Sequence, residues 1–276
     1  MEYKEDYFTG LKNHRIYYQS WIPKKPKAVV QIFHGGFEHL GRYKYLVERL
    51  AEENIIVYGN DHRGHGKSEG KRNHIMSFDD YVEDCYTLSN LIKEEHPNIP
   101  FFVLGHSMGS FIAQRFALKY QQELKGLILS GSGTNIMEIP GLLRMLARIM
   151  VKIYPSFKAA SNLDPNEISS DPESVADYTS DPLINYKVAS AGMGVAFMDH
   201  YKEIKQRIGE IQIPVLIQKG ELDTMVLGLD ELNTDLNPKD KTVKIYKGCK
   251  HEVYQENKKM RTEAFSDLVE WLNSHL

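Results

Sequence analysis

The chain has 276 residues and a net charge of −3, from 34 basic and 37 acidic side chains. With 42% hydrophobic residues it has the composition of an ordinary globular domain, and the length permits a sizeable core. The near-neutral charge gives no basic field that would favour nucleic acid, and no apolar run reaches the ~18 residues needed to span a bilayer.

Short apolar, β-branched runs alternate with helical patterns along the chain. The runs are Ala28–Phe33, Ile55–Tyr58, Phe101–Leu104, Leu127–Leu129, Val215–Ile217 and Val243–Tyr246. Runs this continuous suit strands of a parallel sheet that is covered on both faces. Arg15–Trp21 alternates more, which predicts an antiparallel edge strand, and a last helix is expected over Arg261–Ser274. We therefore predict one α/β domain over residues 1–276, with a mostly parallel central sheet and helices on both faces.

A region from about residue 134 to residue 207 interrupts this alternation. It shows no convincing buried strand and contains an apolar stretch, 142–154, with Arg144, Arg148 and Lys152 spaced four residues apart. We interpret the region as a helical cap inserted between two strands. The apolar stretch is either an interfacial helix that contacts lipid at a membrane or a lid helix packed on the sheet.

The segment Gly105-His106-Ser107-Met108-Gly109 directly follows one predicted strand and precedes a helical pattern. This context is typical of a nucleophile elbow, in which a tight strand-to-helix turn exposes a serine. Glycines on both sides allow the strand and helix backbones to approach closely. We predict that Ser107 is a nucleophile.

An activated serine requires a base that is itself oriented by a carboxylate, and in this fold the acid precedes the histidine. Asp223 and His251 each follow a predicted strand by a short loop, in that order. We predict that they complete a catalytic triad. Glu221 is the nearest rival acid, and Asp230 and His275 are weaker substitutes.

Two backbone N–H groups are expected to stabilise the oxyanion of the tetrahedral intermediate. The residue after the nucleophile supplies one, here Met108. The loop after the first parallel strand, His34-Gly35-Gly36-Phe37, is expected to supply the other, and its position favours Gly36.

The sequence predicts no cofactor. It contains no zinc-type Cys/His spacing and no phosphate-binding glycine motif. Cys85 and Cys249 are its two cysteines, and we expect two thiols in a reducing cytoplasm, with a single disulfide as the alternative.

Four segments together resemble the motifs of monoglyceride lipases, which belong to the lysophospholipase-like serine hydrolases of the α/β-hydrolase superfamily. They are His34–Tyr43, Asp61–Gly70, Gly105–Gly109 and Ser180–Leu183. The resemblance covers about residues 18–271. It implies a cofactor-free serine carboxylesterase that hydrolyses monoacylglycerols through an acyl-enzyme, with Ser107, Asp223 and His251 as its triad.

The same resemblance implies that Glu38 and Arg42 lie where these lipases hold the polar alcohol, with a surface ion pair as the alternative. Tyr254 stands where the animal enzymes have a second histidine. It is therefore a candidate substrate contact, and this departure from the family pattern bears on the specificity for the alcohol. Other functions stay open: a lysophospholipase or a short- or medium-chain esterase with the same triad, or a ligand receptor without turnover.

Overall fold

The computed structural model describes residues 1–135 and 141–276. Its strands are β1 (Glu2–Thr9), β2 (Arg15–Ile22), β3 (Ala28–Phe33), β4 (Ile55–Asn60), β5 (Phe101–His106), β6 (Gly126–Ser130), β7 (Lys158–Ala160), β8 (Val188–Ser190), β9 (Val215–Gly220) and β10 (Lys241–Tyr246). Eight of them form one sheet in the order β1-β2-β4-β3-β5-β6-β9-β10. From β4 to β10 every neighbouring pair is parallel. The predicted mostly parallel sheet is confirmed.

Helices cover both faces of this sheet. They are α1 (Lys44–Glu52), α2 (Phe78–Glu95), α3 (Met108–Tyr120), α4 (Gly141–Ile153), α5 (Pro172–Ser180), α6 (Ala191–Arg207), α7 (Leu229–Asp235) and α8 (Lys258–Ser274). Within β3, Val29 and Phe33 join the apolar cluster that contains α2 and α3, whereas Val30 and Ile32 join the cluster that contains α1 and α8. Because successive side chains of a strand point to opposite faces, a continuous apolar run satisfies both layers.

The N-terminal region departs from the prediction in one respect. Strand β2 is antiparallel to β4, as expected for Arg15–Trp21, but it is not the edge of the sheet. Strand β1 pairs along the whole of β2 and forms the edge. The sequence of β1 conceals this position because its side chains are mostly polar and Phe8 is its one buried residue. An edge strand with charged side chains resists pairing with other chains.

The predicted cap region contains α4, α5, α6 and the small β7–β8 pair, while its residues 136–140 lie outside the described part. It contacts the sheet domain through apolar side chains of α6, which join the cluster that contains α2 and α3, and through polar groups. His39 Nε2 lies 2.9 Å from Asp181 Oδ2, and the N–H of Glu252 donates to the carbonyl of Ile168 at 2.8 Å. Among the helices described here, none has the length and apolar character required to cross a bilayer.

Candidate active site

The loop between β5 and α3 holds Ser107 in a strained conformation. Its φ of 51° and ψ of −122° lie outside the regions that side chains other than glycine adopt readily, at a cost on the order of 1–3 kcal/mol. A Cβ on Gly109 would overlap the carbonyl oxygen of Phe33, and one on Gly105 would overlap the backbone of Gly109. The two glycines are therefore required where β3, β5 and α3 meet, and Ser107 occupies the elbow that the motif predicts.

The loops after β9 and β10 bring the predicted acid and base together. His251 Nδ1 lies 3.0 Å from Asp223 Oδ2, and both side chains are buried. Nε2 of His251 is also buried and has no hydrogen-bond partner among the described residues. His251 and Ser107 line the same cavity. The geometry thus leaves the imidazole nitrogen opposite Asp223 available to accept a proton from a serine hydroxyl.

The rival acid and base residues lie away from Ser107. Glu221 is exposed and accepts a hydrogen bond from the N–H of Gly248 at 3.0 Å. Asp230 lies in the first turn of α7, and His275 contacts Asp240 at 3.0 Å. None of these three belongs to the described wall of the cavity that holds Ser107.

The two predicted oxyanion donors face each other across the elbow. Met108 begins α3, so its N–H has no carbonyl in a preceding helical turn. A Cβ built on Gly36 would lie 3.7 Å from Cβ of Met108. The N–H of Gly35 donates to Glu38 Oε1 at 2.6 Å, which orients the loop, and Phe37 follows with a φ of 68°. This arrangement suits Gly36 as the second donor.

Burial and charge fix the ionisation of the groups around His251. Burial alone would raise the pKa of Asp223, but its interactions with His251 and Lys219 hold that pKa well below its ordinary value. Burial lowers the pKa of His106 to about 3, assisted by the neighbouring His251. His106 is therefore neutral, and its ring centroid lies 4.9 Å from that of His251. Asp223 is the negative charge that directly contacts the imidazole.

Glu38 and Arg42 form a buried ion pair rather than a surface one, and Glu252 joins it. The Arg42 guanidinium contacts Glu38 and donates to both oxygens of Glu252 at 2.8 and 2.7 Å, while the Tyr178 ring lies 4.7 Å from its Cζ. Burial alone would raise the pKa of Glu38, yet Arg42 lowers it to about 2. Burial raises the pKa of Glu252 despite Arg42. Glu38, Glu252 and Tyr178 line the cavity, and sequence patterns did not single out the last two.

Replacement of Arg42 by Met is expected to destabilise the fold strongly, because it leaves two buried carboxylates without their cation. Breaking such a pair typically costs about 3–5 kcal/mol. In the wild type, the lowered pKa of Glu38 stabilises the protein above its unfolded pKa of roughly 4, and that contribution disappears as the pH falls. In the variant, buried carboxylates without a cation oppose ionisation, so stability should instead fall as the pH rises.

Urea unfolding at about pH 5 and pH 8 measures this effect. The matched control is Arg49→Met, which removes an exposed pair with Glu52 and should change stability little. Equal losses in the two variants would contradict the role assigned to Arg42.

Tyr254 does not lie where a substrate contact requires it. The side chain is buried and its hydroxyl donates to Gln218 Oε1. It does not line the large cavity, and it borders a separate void of about 10 Å³, the space of roughly one water molecule. The prediction of Tyr254 as a substrate contact is therefore corrected: the ring packs in the core beside α8. A resemblance in sequence position did not reveal on which side of the loop the side chain lies.

The cavity at Ser107 has a volume of about 710 Å³, within the range of small-molecule sites. Apolar residues of the cap form much of its wall, namely Leu143, Leu146, Met150, Met193, Phe197 and Met198. Across the described ranges 1–135 and 141–276, no group of three His, Cys, Asp or Glu side chains is placed to hold a metal ion. The cavity therefore combines a serine and histidine with a long apolar wall.

Comparison with known proteins identifies the family. Residues 24–258 match the family described as serine aminopeptidase, S33. The chain is 34% identical to the monoacylglycerol lipase of Mycolicibacterium smegmatis, covering 99% of this chain and 98% of that protein, and 27% identical to the human monoglyceride lipase, covering 94% and 86%. A crystal structure of Paleococcus ferrophilus monoacylglycerol lipase superposes with a TM-score of 0.84 at 30% identity, covering 95% of this chain and 99% of that one.

These relatives confirm the resemblance predicted from the motifs and the assignment to the serine ester hydrolases. The order of the strands in the sheet, the turn at Ser107 and the family match all indicate the same fold. The chain therefore belongs to the serine aminopeptidase S33 family of hydrolases and has the α/β-hydrolase fold.

Proposed function

We propose that this protein hydrolyses monoacylglycerols to a fatty acid and glycerol, with Ser107, Asp223 and His251 as its triad. One observation carries the proposal: Ser107 and His251 share a cavity of about 710 Å³ whose wall is apolar along the cap and carries carboxylates. A single acyl chain can lie against the apolar part, where burial of each methylene group would contribute ~0.8 kcal/mol to binding. The names of the relatives reported above support the same substrate class.

In this mechanism His251 Nε2 takes the proton from Ser107 as the oxygen attacks the ester carbonyl. Asp223 orients the imidazole through Nδ1 and stabilises its cation. The N–H groups of Gly36 and Met108 bind the oxyanion, where each such donor is worth ~3 kcal/mol. Glycerol leaves with the proton from His251, and water then hydrolyses the acyl-enzyme by the reverse steps. No cofactor takes part.

The charges of the cavity favour an uncharged alcohol group over a phosphate. Its described lining includes four carboxylates, Glu38, Asp164, Glu167 and Glu252, and no Lys or Arg. Arg42 is already engaged by Glu38 and Glu252, and Lys250, which is not part of that lining, lies 3.8 Å from Glu167. A lysophospholipid would place its phosphodiester against these carboxylates, whereas glycerol hydroxyls can donate hydrogen bonds to them. We therefore favour monoacylglycerols over lysophospholipids.

Helix α4 supports a peripheral contact with lipid. Its outer surface exposes large apolar side chains, including Leu142, Met145, Ile149 and Ile153, while other residues of the helix line the cavity. Arg148 is paired with Asp199 at 2.6 Å, so Arg144 and Lys152 are the charges of the basic stripe that remain for anionic lipid. Such a helix would bind a lipid surface weakly and in a salt-sensitive manner.

Cys85 and Cys249 are both free thiols, which supports a cytoplasmic location.

The test compares initial rates on three esters: a monoacylglycerol, a lysophosphatidylcholine with the same acyl chain, and p-nitrophenyl acetate. We expect the monoacylglycerol to have a kcat/KM at least about tenfold above the lysophospholipid, since a tenfold ratio needs only ~1.4 kcal/mol of discrimination. Within a monoacylglycerol series, kcat/KM should rise with chain length until the cavity is filled. Faster turnover of the lysophospholipid, or no dependence on chain length, would contradict the proposal.

A fluorophosphonate probe separates an enzyme from a receptor of the same fold. The probe should label Ser107, as located by peptide mass spectrometry, and multiple turnovers of an ester should accompany labelling. Labelling without turnover of any ester would instead support a receptor that retains the elbow but not the catalytic cycle.

A further inference from the structure

A buried lysine shares the triad carboxylate with the imidazole. Lys219 is the fifth residue of β9, is 7% exposed, and donates to Asp223 Oδ2 at 2.7 Å. The same oxygen lies 3.0 Å from His251 Nδ1. The ammonium also donates to the carbonyl of Val226, in the loop that follows Asp223. Lys219 therefore restrains both the carboxylate and its loop.

The Asp223 carboxylate is fully engaged as a result. Oδ1 accepts the N–H groups of Met225 at 2.9 Å and Val226 at 3.2 Å, and Oδ2 accepts from Lys219 and His251. Of these contacts, the one between Asp223 Oδ2 and His251 Nδ1 orients the imidazole. Two backbone donors and the imidazole also hold this carboxylate, so what Lys219 adds to them is a further restraint and a positive charge.

The position of Lys219 gives it an electrostatic effect on His251. Through the shared oxygen its ammonium lies within ~6 Å of the imidazole, a range over which a like charge disfavours protonation. Other titratable or charged groups near His251 come from several elements, namely His106 at the end of β5, Glu38 and Arg42 after β3, Lys250 and Glu252 on either side of His251 in sequence, and Asp164 and Glu167 of the cap. Lys250 lies 3.8 Å from Glu167. Arg42 is offset by two carboxylates. Lys219 is the cation that acts through the oxygen contacting the imidazole.

We propose that Lys219 is a positioning residue of the triad that keeps His251 unprotonated, and so able to accept the serine proton, at a lower pH than the Asp223–His251 pair alone would allow. The proposal rests on the proposed triad. Lys219 would also weaken the stabilisation of the imidazolium in the transition state, because its positive charge partly offsets the attraction between Asp223 and the imidazolium. Substitution of Lys219 should therefore change both the pH range over which the enzyme is active and the maximal kcat/KM.

The experiment measures kcat/KM against pH for a water-soluble ester, p-nitrophenyl butyrate, in four variants. Lys219→Gln retains hydrogen-bond donors without charge, Lys219→Met removes both, and Lys219→Arg retains charge. The matched control is Lys244→Gln on the neighbouring strand β10, where Lys244 pairs with Asp267 at 3.0 Å on the surface. Thermal unfolding of each variant identifies a temperature at which all of them are folded.

We expect the acid limb of the profile to move toward higher pH by at least about half a unit in the Gln and Met variants, the size expected when a nearby like charge is removed. The Arg variant and the control should keep the wild-type midpoint. An unmoved midpoint in a folded Gln or Met variant would overturn the proposal. The proposal would also be overturned if the Arg variant folded while the Gln and Met variants both failed to fold, because Lys219 would then act on stability alone. Failure of the triad itself would appear separately, as esterase activity that survives Ser107→Ala.

Discussion

Replacement of Ser107 by Ala is expected to abolish turnover, with a fall in kcat of about 10⁶-fold by analogy with other serine triads. The alanine lacks the oxygen that attacks the ester carbonyl, so the acyl-enzyme cannot form. The oxyanion donors at Gly36 and Met108 would remain, which is why a residual rate above that of water is expected. Retention of more than about a thousandth of the wild-type rate would show that another group is the nucleophile.

The strain at this position gives the same experiment a second readout. Ala has a Cβ and must still adopt the φ of 51° that Ser107 has, so Ser107→Ala should leave stability nearly unchanged. Ser107→Gly should be inactive but more stable by roughly 1 kcal/mol, since glycine adopts positive φ without steric cost. Ser89→Ala is the matched control, because Ser89 is a buried serine on α2 that bonds to Gln31. It should retain activity within a few-fold.

The central sheet could be predicted from sequence because both of its faces are covered. A strand buried on two sides is apolar at most positions, and Ala28–Phe33 is buried throughout with Gln31 as its one polar residue. The edge strand β1 could not be predicted in the same way, since Phe8 is its one buried side chain and its pairing with β2 is made by backbone groups. Backbone pairing leaves no pattern in the side chains.

The proposed triad could be anticipated because parallel strands place their following loops at one sheet edge. The positions of Ser107, Asp223 and His251 after three such strands were enough. The contact between Arg42 and Glu252 beside the site could not be anticipated, since the two residues are 210 positions apart in sequence. Lys219 lies two residues beyond the predicted run Val215–Ile217, and no sequence pattern singles it out. Its contact with Asp223 depends on the turn at Gly220, which brings the carboxylate back over the strand.

Substitution of Asp223 by Asn is expected to have the second largest effect, a fall in kcat of about 10⁴-fold. Four donors converge on this carboxylate, from His251, Lys219, Met225 and Val226. An amide has one acceptor oxygen and an NH₂ group, so at least one donor must face another donor. The imidazole would then lose its orientation and the negative charge that stabilises its cation, while Lys219 would still repel that cation.

Stability should respond as well, because Asn leaves the ammonium of Lys219 buried without its counter-ion. The loss is expected to be about 3–5 kcal/mol. The pH dependence also changes: the lowered pKa of Asp223 stabilises the wild type above its unfolded pKa of roughly 4 and is lost on acidification, a dependence that Asn removes. Asp267→Asn, at the partly exposed pair with Lys244, is the matched control and should cost much less.

A double variant distinguishes the two consequences of Asp223→Asn. Adding Lys219→Met removes the uncompensated cation, so Asp223→Asn/Lys219→Met should recover much of the lost stability in urea unfolding while activity stays low. The coupling between the two positions should then be of the order of 1–3 kcal/mol for stability, as for other contacting residues in one network. If the double variant instead regained activity, Asp223 would not be the group that orients His251. If the two stability changes simply added, Lys219 and Asp223 would be independent despite their 2.7 Å contact.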